Sequence, residues 1–301
     1  MSGVSGPHLV REDDGAWTAT WVPFVLKSAF QPIFRFSKGK LGPVAFEALL
    51  RPFRDGALLS PAAFLNDLRT SERQHVETLT RSLHLVNAAA CLPDSASIFI
   101  NFDPSVFVVT RLADAAVQET RVAAAAAGIE PHRVVCEVTE KETISEDTLF
   151  SLVASLRRNG FRIAVDDYGV DASDMNRIHE LRPDIVKFDA EWIRRLMESS
   201  AGYALLATMV STFREHGIET VFEGIETGEQ LQLAENAGVD MVQGFGLAQP
   251  EIAPARFKAS VQSEPPAEPH PHDPVFGEAP QLRAAGDLRH AKAFGKRVQQ
   301  P

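Results

Sequence analysis

The sequence has little that would tie it to an oxidising compartment, a membrane or a nucleic acid. Its 301 residues include two cysteines, Cys91 and Cys136, without CxxC spacing, which suits a reducing compartment and argues against a disulfide framework. No apolar run approaches the roughly 20 residues needed to cross a bilayer. The N-terminus also lacks a basic stretch followed by an apolar core, so the expectation is a soluble, cytoplasmic protein with no membrane partner. Positive charge is scarce: 30 Lys and Arg against 40 Asp and Glu leave a formal charge of −10. That balance argues against a generic nucleic-acid or anionic-membrane binder, whose electrostatics require a basic face. It still admits a small phosphate-bearing ligand met through cations. No His/Cys cluster offers a zinc site of comparable quality to the carboxylates described below.

What is present is a succession of short apolar, β-favouring runs bounded by turn signals. Eight candidate strands are 28–36, 43–50, 97–102, 133–139, 161–167, 184–189, 219–225 and 240–245. From the second onward the gaps are long enough for helices. "DAAVQETRVAAAAAG", "EDTLFSLVASLRRNG" and "GEQLQLAENAG" combine helix-forming composition or helical spacing with a terminal Gly stop. Alternating strands and helices predict an α/β fold of mostly parallel pairing, and eight strands predict a closed (β/α)8, TIM-like barrel. Between the first two strands stands "SKGKLG", too short for a parallel crossover but suited to a hairpin. The prediction is therefore a modified barrel with its first strand antiparallel. The expected organisation is an N-terminal extension over 1–24, the barrel over 25–258 and a Pro-rich, largely disordered tail over 259–301. "WTATWVPFVLKSAF" near the start is expected as a helix over the barrel floor or a partner contact, with simple packing the plainer reading. In the tail, His270 and His272 read as flexible linker rather than a metal site.

Most predicted strands carry a polar residue near their C-terminal end: Glu47, Asn101, Glu137, Asp166, Lys187, Glu223 and Gln243. That end of a barrel is where catalytic groups converge. Each alone could be a satisfied edge residue; together at matching positions they point to a site. Gathering carboxylates in one place costs too much without cations to offset them, which also argues against a purely structural barrel. Glu47, Asn101, Glu137, Asp166 and Asp167 form an all-oxygen donor set suited to Mg2+ or Mn2+. The carboxylates suffice for two ions, with Asp166 placed to bridge them. Such a pair lowers the pKa of a water toward roughly 7 and prepares it for in-line attack on phosphorus. Lys187 would orient the water or offset developing charge. Glu223 would be either a second-ion ligand or the base. Arg51 suits a phosphate contact through its planar fork, or a surface ion pair. A class I aldolase lysine is the competing enzyme reading, but surrounding carboxylates keep Lys187 protonated.

The segments "FEALLRP" (46–52), "INFDP" (100–104), "CEVTEKETI" (136–144), "VDDYG" (165–169), "VKFD" (186–189), "FEGIET" (222–227) and "VQGFGLAQP" (242–250) resemble, in order and spacing, the motifs of the EAL-domain family of bacterial cyclic-di-GMP phosphodiesterases. The resemblance implies metal ligation by Glu47, Asn101, Glu137, Asp166 and Asp167. It implies catalytic or active-site roles for Lys187, Glu223 and Gln243, and dinucleotide contacts from Gln31 and Arg51. Glu140 matches a glutamate that steadies the loop after the paired aspartates, and Glu226 closes the "EGIE" motif. The implied reaction is hydrolysis of cyclic di-GMP to linear pGpG, dependent on Mg2+ or Mn2+, inhibited by Ca2+ and often carried out by a homodimer. The chain departs from the family after the aspartates. Where active members have a Gly-Thr-Gly-Tyr-Ser-Ser-like loop, it reads "GVDASDMNRI", with Val170, Asp171 and Ala172 at altered positions. Asp103 stands where serine is common. Asp171 removes backbone freedom, and restoring Gly there is expected to alter rate or metal requirement more than stability. The rival reading is a catalytically inactive receptor or protein-interaction module; the complete ligand set favours the enzyme.

Overall fold

Residues 8–107, 110–139, 146–170, 175–255 and 257 are described by the computed structural model. The chain runs β1 (His8–Arg11), β2 (Trp17–Trp21), β3 (Phe24–Ser37), β4 (Lys40–Arg54), β5 (Ala57–Leu58), α1 (Pro61–Asn66), α2 (Thr70–Cys91) and β6 (Ser97–Asn101). It continues through α3 (Thr110–Ala126), β7 (Val134–Thr139), α4 (Glu146–Arg158), β8 (Arg162–Tyr168), α5 (Met175–Leu181), β9 (Ile185–Phe188) and α6 (Ala190–Met197). It closes with α7 (Ser200–Glu215), β10 (Glu219–Phe222), α8 (Gly228–Ala237), β11 (Met241–Val242) and β12 (Glu251–Ile252). Strand order β3-β11-β10-β9-β8-β7-β6-β4, with β3 also paired to β4, closes an eight-stranded barrel. As predicted, its first strand is reversed: β3 is antiparallel to both β4 and β11, while the other barrel pairs are parallel.

The reversal follows from a two-residue turn. Ser37 pairs with Lys40, and Lys38 and Gly39 between them both have positive φ, 50° and 73°, as a type I′ hairpin requires. Helices end where the sequence places glycine. Gly238 caps α8 at φ 77° after a Thr227–Gln230 capping box opened it. Gly128 and Gly160, following α3 and α4, also take positive φ.

"WTATWVPFVLKSAF" is not helical. Trp17–Trp21 is β2, Phe24 begins β3, and the pair forms an antiparallel extension outside the barrel, with β1 at its edge. Aromatic and β-branched residues favour a pleated surface here. Ala19, Phe24 and Leu26 pack with Phe64 of α1 and Val76 and Leu83 of α2 in a satellite core. The predicted tail, 259–301, lies outside the described residues. No helix among the described residues is long and apolar enough to cross a membrane.

Inside the barrel a single apolar layer takes one residue from each strand: Ile33, Ala45, Phe99, Val135, Ala164, Ile185, Val221 and Met241, all nearly or fully buried. Side chains alternate across a strand, so residues two positions along point the same way. Two residues toward the C-terminal mouth lie Glu47, Asn101, Glu137, Asp166, Lys187, Glu223 and Gln243, and on the reversed β3, two residues back, Gln31. The strand period therefore stacks a complete polar layer on the apolar one.

Candidate active site

Lys187 stands at the centre of this layer. Its side chain is 1% exposed, and Nζ lies 2.5 Å from Glu137, 2.7 Å from Glu223, 3.0 Å from Asp166 and 3.7 Å from Glu47. Burial opposes its charge, but Asp166, Glu137, Glu223 and Glu47 together outweigh that and hold the ammonium pKa well above its usual value. Burial raises Glu137 well above the carboxylate range despite Lys187, with Glu47 and Asp166 adding to the rise. Burial likewise raises Glu223, to about 8, against the pull of Lys187. Protonation therefore relieves part of the crowding that one ammonium cannot.

The paired aspartates reach the mouth through a break in register. Val165 pairs with Val186 and Tyr168 with Phe188, so Asp166 and Asp167 together oppose Lys187 alone. This is a bulge, and Asp167 takes the left-handed φ of 57°. On a regular strand adjacent side chains would face opposite ways. Here carboxylate oxygens of Asp166, Asp167 and Glu223 all lie within 4.8 Å of one another.

Gln243 donates from Nε2 to Glu47 Oε2 at 2.8 Å, and Gln31, directly across the β3–β4 ladder from Glu47, donates to the Ala248 carbonyl at 3.3 Å. These residues line a cleft of about 360 Å³ with Asp166, Asp167, Lys187, Glu223 and Glu226. Asn101, Glu137 and Arg51 instead line an adjoining pocket of about 300 Å³. Glu137, from the wall of that pocket, pairs with Lys187, from the wall of the cleft. Glu226 lines the cleft, and its backbone N–H donates to Gln230 Oε1 at 2.8 Å. Glu140 and 171–174, which include the altered Asp171 and Ala172, lie outside the described residues; the altered Val170 donates its N–H to the Asp167 carbonyl at 3.2 Å.

The donor set fits hard divalent cations. Among the described residues four carboxylates (Glu47, Glu137, Asp166 and Glu223) surround one ammonium, and Asp167 stands beside Asp166 and Glu223. Glu137 Oε2 and Gln243 Oε1 are buried without a hydrogen-bond partner among the described residues. Buried oxygens of this kind are what Mg2+, Mn2+ or Ca2+ take as ligands.

Sequence reading did not single out the glycines that assemble the far wall. A Cβ on Gly244 would collide with the backbone of Ile225, and one on Gly246 with that of Glu226. Their absence lets Ile225 N–H donate to the Gln243 carbonyl at 3.0 Å and Gly246 N–H to the Ile225 carbonyl at 2.9 Å. Those bonds bring "EGIE" and "QGFG" to one edge of the cleft. Two glycines spaced around an aromatic just after a strand were the available signal.

A closed α/β barrel with one reversed strand and an acidic, lysine-centred mouth defines the class. The EAL domain profile matches residues 25–250, and the chain belongs to the EAL domain family. It is 30% identical over 241 residues to the probable cyclic di-GMP phosphodiesterase PdeG of Escherichia coli K12, covering 76% of this chain and 44% of that protein. It is 29% identical over 280 residues to the EAL-domain protein YkuI of Bacillus subtilis 168, covering 90% of this chain and 65% of that one. The chain thus spans less than two thirds of the length of either relative. Among solved structures, Klebsiella pneumoniae BlrP1, in a calcium and cy-diGMP complex, superposes with a TM-score of 0.67 at 28% identity, covering 75% of this chain and 56% of that one. The YkuI structure, with substrate c-di-GMP and calcium, superposes with a TM-score of 0.66 at 27% identity and the same coverage.

Proposed function

We propose that this protein is a metal-dependent phosphodiesterase that opens cyclic di-GMP to linear pGpG. The observation that carries the reading is the polar layer itself: every barrel strand contributes to it, and its four carboxylates and single lysine, with Asp167 beside them, leave a negative site that two divalent cations, Mg2+ or Mn2+, would balance. Glu47, Asn101, Glu137, Asp166 and Asp167 are the proposed ligands. The close grouping of Glu223 with Asp166 and Asp167 favours a ligand role for it over that of a base. When bound, the ions would supply positive charge beside the phosphodiester and make a water more acidic.

The chain's own groups do the rest. Lys187, held charged by its neighbours, donates N–H bonds toward the attacking water and keeps Glu47, Glu137, Asp166 and Glu223 in fixed relation. Gln243 also donates to Glu47 Oε2 at 2.8 Å, which orients that carboxylate in the cleft. Arg51 meets a phosphate and Gln31 the dinucleotide. Glu140 and Glu226 are assigned to supporting the loops at the mouth. The homologous structures bound to cyclic di-GMP with calcium or manganese support the choice of ligand.

The test is incubation of the purified protein with cyclic di-GMP and Mn2+, with product separation by chromatography. Appearance of pGpG, lost on chelation, is the expected result. The altered sequence after Gly169 favours one alternative, a receptor that binds without turnover. Tight binding with no product in either Mg2+ or Mn2+ would establish that alternative instead.

A further inference from the structure

The first turn of α6 sits between the two loops that bring Asp166, Asp167 and Glu223 together. Strand β9 lies between β8 and β10 in the sheet, so the chain leaving β9 enters α6 between the loop after β8 and the loop after β10. Two glycines mark where that turn meets them. A Cβ on Gly169, two residues past Asp167, would collide with the indole of Trp192; one on Gly224, next to Glu223, would collide with Cβ of Ala190. Both glycines have positive φ, 106° and 64°.

The turn is itself held firmly. Asp189 caps α6, its Oδ1 accepting from Trp192 N–H at 2.8 Å, and its own N–H donates to the Tyr168 carbonyl at 3.1 Å. Trp192 stacks on Phe188 at 5.8 Å between centroids and meets Tyr168 edge-on at 6.2 Å. The contact surface is thus a small, fixed wedge: a methyl group toward one loop, an indole toward the other.

We infer that Ala190 and Trp192 are positioning residues that set the distance of Asp166 and Asp167 from Glu223, and so the affinity of that trio for a divalent cation. The inference rests on the metal-dependent reading above. Each contact lies within two residues of a carboxylate, so a shift of the wedge moves an oxygen donor before it is absorbed elsewhere. Residues that orient ligands from behind commonly control metal affinity by roughly 10- to 100-fold.

The test is calorimetric titration of the full chain with Mn2+ alone, without nucleotide, beside urea unfolding of the metal-free protein. Gly224→Ala should weaken Mn2+ binding about tenfold or more. Adding Ala190→Gly to that variant removes the clash with the alanine Cβ and should recover part of the loss, the left-handed strain at φ 64° remaining, a rescue that a general destabilisation would not give. Ala190→Gly alone and Trp192→Leu, which introduce no collision, should each weaken binding severalfold, while Trp192→Phe keeps an aromatic face and should lose less. Wild-type binding with unchanged affinity in these variants would overturn the wedge and leave the metal reading standing. Absence of Mn2+ binding by the wild-type chain would overturn both.

Discussion

Strand β10 begins at Glu219, near one rim of the barrel, and Glu223 follows it at the other; the two glutamates have opposite fates. Glu219, at the N-terminal rim, lies between Arg35 at 2.5 Å and Arg162 at 2.6 Å. Burial would raise its pKa, but hydrogen bonds and charge from the two guanidiniums outweigh that and hold it below the usual value. Glu223, four residues on, shares one ammonium with three other carboxylates, and burial lifts its pKa to about 8. Two cations for one carboxylate make a closed structural ion pair. One cation for several carboxylates leaves charge unbalanced, at a cost that a packed interior would not carry without a purpose. The apolar layer between them, Val221 and its seven counterparts, keeps the two electrostatic environments apart.

The comparison breaks most sharply at Glu47. Glu47→Ala should abolish conversion of cyclic di-GMP to pGpG, measured chromatographically with Mn2+, whereas Glu219→Gln should leave turnover within about twofold. Equal losses would erase the distinction between the rims. Next in size is Lys187→Met, which removes the ammonium from among Glu47, Glu137, Asp166 and Glu223. The metal-free variant should be destabilised by about 3–5 kcal/mol in urea at pH 8, and by less at pH 5, where Glu137 and Glu223, their pKa values raised by burial, hold protons.

The unmodified, metal-free protein should show the same asymmetry in its pH dependence. Between the ordinary 4.5 and about 8, the folded state holds a proton on Glu223 more tightly than the unfolded chain does. That contribution is complete below about 4.5 and is lost as pH rises through about 8, on the order of 5 kcal/mol. Urea midpoints across this window should fall with pH without metal and flatten with Mn2+. The smallest effect concerns the opposite rim. Glu219→Gln should cost about 1 kcal/mol, because its arginine pairs are about one-third exposed and screened by water; thermal melts in low and high salt would measure it.

Much of the barrel was legible because a strand announces itself locally. Runs such as "FRIAVDD" and "DIVKFD" are apolar, β-favouring and bounded by turns, and both became barrel strands, β8 and β9. The hairpin reversal followed from the short "SKGKLG" connection, although its two-residue turn at Lys38–Gly39 was not anticipated. The N-terminal strands were missed because "WTATW" buries its residues against α1 and α2 through contacts distant in sequence. At the site, the carboxylates, Lys187 and Gln243 were readable from their place at strand ends. Asn101 and Arg51 were readable too, yet they open onto the neighbouring pocket rather than the central cleft. The Arg35–Glu219–Arg162 cluster was not readable at all, since its members meet only when β3 closes the ring.

The sequence by itself determined which residues face inward and at which level, because the two-residue alternation of a strand is local backbone geometry. It therefore specified a polar layer stacked on an apolar one. Tertiary structure decided what that layer encloses. Barrel closure brought four carboxylates around Lys187, and a one-residue bulge, with Asp167 at φ 57°, brought both adjacent aspartates to the mouth. Register and closure depend on pairing between distant segments, and no local pattern encodes them.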